Sequence, residues 1–168
     1  MIVWFSGVSG AGKSTIGRFF FKKFKKKFSN SIYIDGDEFR ELMNNDLGHD
    51  IKSRNLNALR LTRFVKFISN QKINIIVAAN LTSPKYRKWC KINLKNYYDI
   101  FIEAKLENLI KRDYKNLYKL ALSKKIKNVV GVDIPFNRPN GCYMYVSNVK
   151  TKNEFLKKTD LILKKLKL

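Results

Sequence analysis

Short apolar runs alternate with amphipathic stretches along the whole chain. Ile2 to Ser6 is a buried-strand pattern, Ser31 to Ile34 a second, and Ile73 to Ala79 a third, β-branched and flanked by polar residues. Asp99 to Ala104 and Tyr143 to Ser147 read as two more strands. Between the first two lies a stretch with Ile16, Phe20, Phe24 and Phe28 at four-residue spacing, one apolar stripe of a helix. Further helices are expected around Phe39 to Asn44, from about Arg54 to Asn70, after Pro84 with Trp89 and Leu94, and over Asn153 to Leu166. Strands separated by helices predict an α/β fold, a parallel five-stranded sheet covered by helices on both faces. No internal repeat or linker interrupts residues 1–168, which read as a single domain. The stretch from about residue 113 to 140 is basic, contains Gly131, Pro135 and Pro139, and reads as a mobile cover.

The turn after the first strand carries the most specific chemistry. Gly7-Val8-Ser9-Gly10-Ala11-Gly12-Lys13-Ser14-Thr15 fits G-x-x-x-x-G-K-[ST], with a strand before it and a helix after it. Glycines let backbone N–H groups converge on phosphates, and the helix N-terminus adds its dipole. Lys13 is placed to reach the β- and γ-phosphates of ATP, and the Ser14 hydroxyl to bind Mg²⁺. Gly7 and Ser9 to Thr15 are therefore the ATP-binding candidates, in the pattern of a P-loop kinase. No NKxD-type guanine-reading segment is present. Asp35 and Asp37 flank Gly36 at the end of the second strand, where carboxylates can face a metal-bound phosphate and an incoming hydroxyl. One would orient Mg²⁺, with Ser14 and Asp35 as metal candidates, and one would accept the hydroxyl proton; the pattern leaves open which of the two is the base.

Composition adds an anionic partner and excludes other classes. Thirty-five Lys and Arg against 13 Asp and Glu give a net charge of +22, which favours nucleotides, nucleic acid or acidic surfaces. The lysines are dispersed through every segment, with no aromatic–basic strip of an RNA-binding kind. Lys22, Lys23 and Lys25 to Lys27 read as solvated helix surface. Cys90 and Cys142 have no CxxC spacing and read as reduced thiols. The N-terminus has no signal-peptide pattern, and no apolar run reaches the ~20 residues of a membrane span. A cytoplasmic protein is expected.

Beyond the glycine loop, the run Ile34-Asp35-Gly36-Asp37-Glu38-Phe39-Arg40 followed by Asn45-Asp46-Leu47-Gly48 resembles the adenylylsulfate (APS) kinase family. Arg54 and Asn57 match its D-R-x-E-N-I-R-R segment. Arg112, Asp113, Lys115, Leu117 and Tyr118 match R-D-x-K-G-L-Y, and Ile126-Lys127 with Gly131-Val132-Asp133 and Pro135 match I-K-G-F-T-G-I-D-x-P. The resemblance implies transfer of the ATP γ-phosphate to a ribose 3′-hydroxyl of a nucleotide acceptor, a lid after Asp113, and a homodimer. It also implies acceptor contacts from Asp37, Arg40, Arg54, Asn57 and Lys127.

The departures fall on the acceptor side. His49 and Val129 stand where the family has two phenylalanines stacked on the acceptor's adenine. Each such plate supplies about 1–3 kcal/mol of stacking at a nucleic-acid site. Glu38 and Ser53 also depart from the pattern, and Ser83-Pro84-Lys85-Tyr86-Arg87 has an extra residue against S-P-[YF]-R. A smaller pyrimidine base needs less apolar plate. The departures resemble those of an APS-kinase-like branch that phosphorylates a cytidine nucleotide with an uncharged end in capsule biosynthesis, and that resemblance implies cytidine diphosphoramidate as the acceptor. APS itself is the alternative, and a nucleic-acid end the more distant one.

Overall fold

The computed structural model describes residues 1–113, 116–148 and 151–168. Lys115, one of the motif positions, lies outside them. Strands β1 (Ile2–Ser6), β2 (Ser31–Asp35), β3 (Asn74–Ala78), β4 (Tyr97–Glu103) and β5 (Met144–Ser147) form one sheet in the order β2-β3-β1-β4-β5. Every pairing is parallel. Helices α1 (Lys13–Lys27), α2 (Gly36–Leu42), α3 (Ile51–Asn70), α4 (Pro84–Asn93), α5 (Leu106–Lys111), α6 (Leu117–Leu122) and α7 (Lys152–Lys165) connect and cover it.

Alternation along β1 builds two cores. Val3 and Phe5 face one side with Phe20 and Phe24 of α1 and Phe155 and Ile162 of α7. Ile2 and Trp4 face the other with Leu61 and Val65 of α3 and Tyr86 and Cys90 of α4. Phe5, Phe20 and Phe24 are fully buried, each contributing roughly 1.5–3 kcal/mol of burial. The four-residue spacing of Ile16, Phe20 and Phe24 is thus core, as the periodicity predicts, and Lys22 and Lys25 to Lys27 are exposed.

Helix boundaries depart from the apolar periodicity for local reasons. Helix α3 starts at Ile51, ahead of Arg54, because the Asp50 carboxylate caps it by accepting the Ser53 N–H at 3.0 Å. Helix α2 starts at Gly36, because Asp35 caps it in the same way through the Asp37 N–H, 3.0 Å away. Helix α5, which the periodicity does not predict, has only six residues, too few to show a period. Strand β1 sits where the chain changes direction across the sheet, and its carboxyl end opens into the crevice where such folds bind ligands.

Candidate active site

The cradle is held from behind. Gly7, Gly10 and Gly12 have φ of 149°, 71° and 101°, and a Cβ on Gly12 would lie 2.7 Å from Asn148 Nδ2. Three of the loop's carbonyls are engaged. Val8 O accepts from Lys13 Nζ at 2.9 Å, Ser9 O from the Tyr118 hydroxyl at 2.7 Å, and Ala11 O from Asn148 Nδ2 at 2.8 Å. Ser14 and Thr15 follow in the first turn of α1, with Gly12 as its N-cap. No sequence pattern points to Asn148 or to the reach of Tyr118. Asn148 follows β5 and meets the loop only once the sheet is assembled.

Strand register brings the acids to the same edge. Asp35 pairs with Ala78 and Ala78 with Phe5, two residues before the cradle. Two strand spacings put Asp35 about 10 Å from β1. Asp35 is buried; its Oδ1 accepts the Asp37 N–H and its Oδ2 the Tyr33 hydroxyl at 3.1 Å. Burial, and next the Asp35 charge, push the Tyr33 hydroxyl's pKa upward, so it stays a donor. Arg18 Nη2 lies 3.8 Å from Asp35 and 2.5 Å from Glu38. Glu38, a departure from the family pattern, therefore ties α2 to α1. Asp37 is exposed at the first turn of α2. A Cβ on Gly36 would sit 2.9 Å from Ala79 Cβ, so only glycine lets α2 start this close to β3.

Three arginines shape the opposite wall. Arg40 Nη1 donates to Leu47 O at 3.0 Å and to Gly48 O at 3.3 Å. Arg54 Nε donates to His49 O at 2.5 Å, and its Nη2 to Asn128 O at 2.7 Å. Arg60 grips Asp46 with both carboxylate oxygens at 2.7 Å. Burial, and next the repulsion of Arg40, lower the pKa of Arg54. Two neighbouring cations bonded to neutral carbonyls make a strong anion site. His49, exposed in the same loop, has its pKa lowered by partial desolvation and by Arg40 and Arg54, against the opposing pull of Asp37 and Asp50.

Asn57 sits one turn beyond Arg54 on α3, half-buried, and Lys127 is exposed, next to Asn128. Val129 is placed otherwise than a base-stacking position requires. It is 3% exposed and belongs to the core beside Tyr118 and Val130. The Asp133 carboxylate holds the turn by accepting the N–H of Asn128 and of Val129, at 2.5 and 2.6 Å, which keeps its own pKa low. Arg87, from the altered Ser83 to Arg87 segment, also turns inward. It pairs with buried Asp99 and donates to Leu81 O at 2.6 Å, behind Ser6 and apart from the wall of Arg40 and Arg54. Cys90 and Cys142 are free thiols near this pair, their pKa values raised to about 12 and about 11, chiefly by burial. Among the described residues no helix is long and apolar enough to cross a membrane.

A phosphate cradle at the carboxyl end of β1, facing paired acids across a parallel sheet, defines an ATP-dependent P-loop kinase. The chain belongs to the adenylylsulphate kinase family, whose model matches residues 1–147. It is 41% identical over 167 residues to cytidine diphosphoramidate kinase of Campylobacter jejuni, covering 99% of this chain and 96% of that one. It is 31% identical over 156 residues to adenylyl-sulfate kinase of Clostridium acetobutylicum, covering 91% of this chain and 77% of the relative. Among solved structures, it resembles the Mycobacterium tuberculosis APS kinase CysC in complex with AMPPNP and APS. That match has a TM-score of 0.87 and 26% identity, over 99% of this chain and 97% of that one.

Proposed function

We propose that this kinase transfers the γ-phosphate of ATP to the ribose 3′-hydroxyl of a cytidine nucleotide with an uncharged terminal group, cytidine diphosphoramidate. The observation that carries the choice of acceptor is the wall opposite the cradle. It offers the paired guanidiniums of Arg40 and Arg54 to a diphosphate, but neither aromatic plate to a purine. His49 stands at one plate position in an exposed loop, and Val129 at the other is sealed in the core. The likeness to the Campylobacter kinase over nearly its full length supports the same reading.

The contrast in burial supports a division of labour between the acids. Asp35 is buried with both oxygens engaged, which suits a fixed charge that orients a cation and its waters. Exposed Asp37 suits the base. In this mechanism the acceptor hydroxyl attacks the γ-phosphorus and its proton passes to Asp37. The new O3′–P bond forms as the bond to the β-phosphate oxygen breaks, leaving ADP. Lys13 and the cradle N–H groups hold the phosphates in line. Ser14 and Asp35 supply oxygen donors alone, the set that Mg²⁺ prefers, and bound there it would neutralise charge on the β- and γ-oxygens. Arg40, Arg54, Asn57 and Lys127 hold the acceptor. The enzyme works as a cytoplasmic homodimer in this reading.

Incubation of the protein with ATP, Mg²⁺ and cytidine diphosphoramidate tests this, with the product read by phosphorus NMR. A new monoester resonance coupled to the ribose H3′ is expected. Phosphorylation at another position, or of APS alone, would overturn the reading.

A further inference from the structure

Two side chains outside the glycine motif hold carbonyls of the cradle. A trans peptide is planar, so the carbonyl of one residue and the N–H of the next point in opposite directions. The Tyr118 hydroxyl anchors the Ser9 carbonyl at 2.7 Å, and this turns the Gly10 N–H the other way, into the cradle. Asn148 Nδ2 anchors the Ala11 carbonyl at 2.8 Å and so directs the Gly12 N–H in the same manner. Tyr118 and Asn148 are both buried residues, and the bond from Asn148 to Ala11 O is itself enclosed.

We infer that Tyr118 and Asn148 are positioning residues for ATP: they fix the peptide planes of Ser9–Gly10 and Ala11–Gly12 so that two N–H donors face the phosphates. Tyr118 lies on α6, inside the lid, whereas Asn148 leaves the end of β5. One wall of the cradle is thus set by the lid and the other by the sheet, and a displaced lid releases the Ser9 carbonyl and its orientation. Preorganised donors of this kind act without reorganisation when charge moves onto the phosphate. Burial, with Asp113 nearby, raises the Tyr118 pKa to about 12, so the hydroxyl remains a donor across the working range.

The test measures nucleotide binding alone and needs no knowledge of the acceptor. Titration calorimetry with a non-hydrolysable ATP analogue and Mg²⁺ gives Kd for the parent, Tyr118→Phe and Asn148→Asp, alongside melting without nucleotide. Tyr118→Phe keeps the ring and removes only the anchor, and should weaken the analogue about 3- to 10-fold. Asn148→Asp replaces a donor by a charge facing a carbonyl and should weaken it at least as much. Tyr143→Phe, which removes a hydroxyl bonded to the Lys165 carbonyl on the surface, should leave Kd unchanged. An analogue Kd unaltered in both cradle variants overturns the inference, as does a fall in melting temperature with no change in Kd. If Tyr118→Phe does not fold, the Kd of Asn148→Asp decides alone. In the active enzyme, Tyr118→Phe should raise KM for ATP and leave KM for the acceptor unchanged.

Discussion

Arg54 crosses from α3 to the carbonyl of Asn128, 2.7 Å away, and so fastens the loop before α3 to the turn at Asn128. Its Nε holds His49 O at the same time. One planar fork thus serves two backbone segments separated widely in sequence. A lysine at this position offers a single ammonium and cannot make both bonds in plane. Arg54→Lys should raise the acceptor KM about 10- to 100-fold, the worth of one or two charge-assisted bonds. KM for ATP should stay within twofold (roughly the noise of such assays against a 1.4 kcal/mol decade). Steady-state kinetics with each substrate varied in turn decide it.

Asp35 is buried and Asp37 exposed, the contrast on which the proposed division of work between them rests. Asp37→Asn should lower kcat by about 10²–10⁴-fold, the usual contribution of a general base. Because Asp37 lies outside the cradle, the dissociation constant for ATP should hold. Rapid-quench turnover together with equilibrium nucleotide binding separates the two effects.

Arg87 and Asp99 form a buried ion pair behind β1. Removing one partner leaves the other charge without compensation. Arg87→Met should cost about 3–5 kcal/mol of stability, visible as a fall in the urea midpoint. The double variant Arg87→Met with Asp99→Leu should recover most of that loss, since it removes both charges together.

The chain has one histidine, so a single imidazole resonance reports on His49. Desolvation, then Arg40 and Arg54, lower its pKa from the ordinary 6.5. The unfolded chain therefore binds this proton at a higher pH than the folded one. Stability from this group is complete above 6.5 and declines as pH falls from there through the lower folded value. Proton NMR titration should place the midpoint below 6.5, and His49→Gln should flatten stability against pH over that interval. A midpoint at or above 6.5 contradicts the cationic wall.

Much of this is legible in the chain because the carriers are local. The glycine loop, the strand before it and the stripe of Ile16, Phe20 and Phe24 each follow from neighbours within a few residues. So does the pair Asp35 and Asp37, although Asp35 also caps α2, a role that its place before a short helix permits. What stays hidden depends on residues distant in sequence. Asn148 reaches Ala11 across 137 positions, and Arg87 finds Asp99 only when α4 folds over the sheet. Val129 matches a stacking position by register, yet burial in the core on the α1 side of the sheet decides where it points. Alignment carries a position, and packing decides which way the side chain faces.

An acceptor wall suited to a small base should show itself most directly in competition. One reaction containing equal cytidine diphosphoramidate and APS, with limiting ATP and Mg²⁺, measures the ratio of kcat/KM for the two acceptors. Loss of even one aromatic plate, worth about 1–3 kcal/mol, predicts roughly 5- to 100-fold more 3′-phosphorylated cytidine product than adenosine product. An equal yield, or an excess of 3′-phosphoadenylylsulfate, would contradict a wall built for the smaller base.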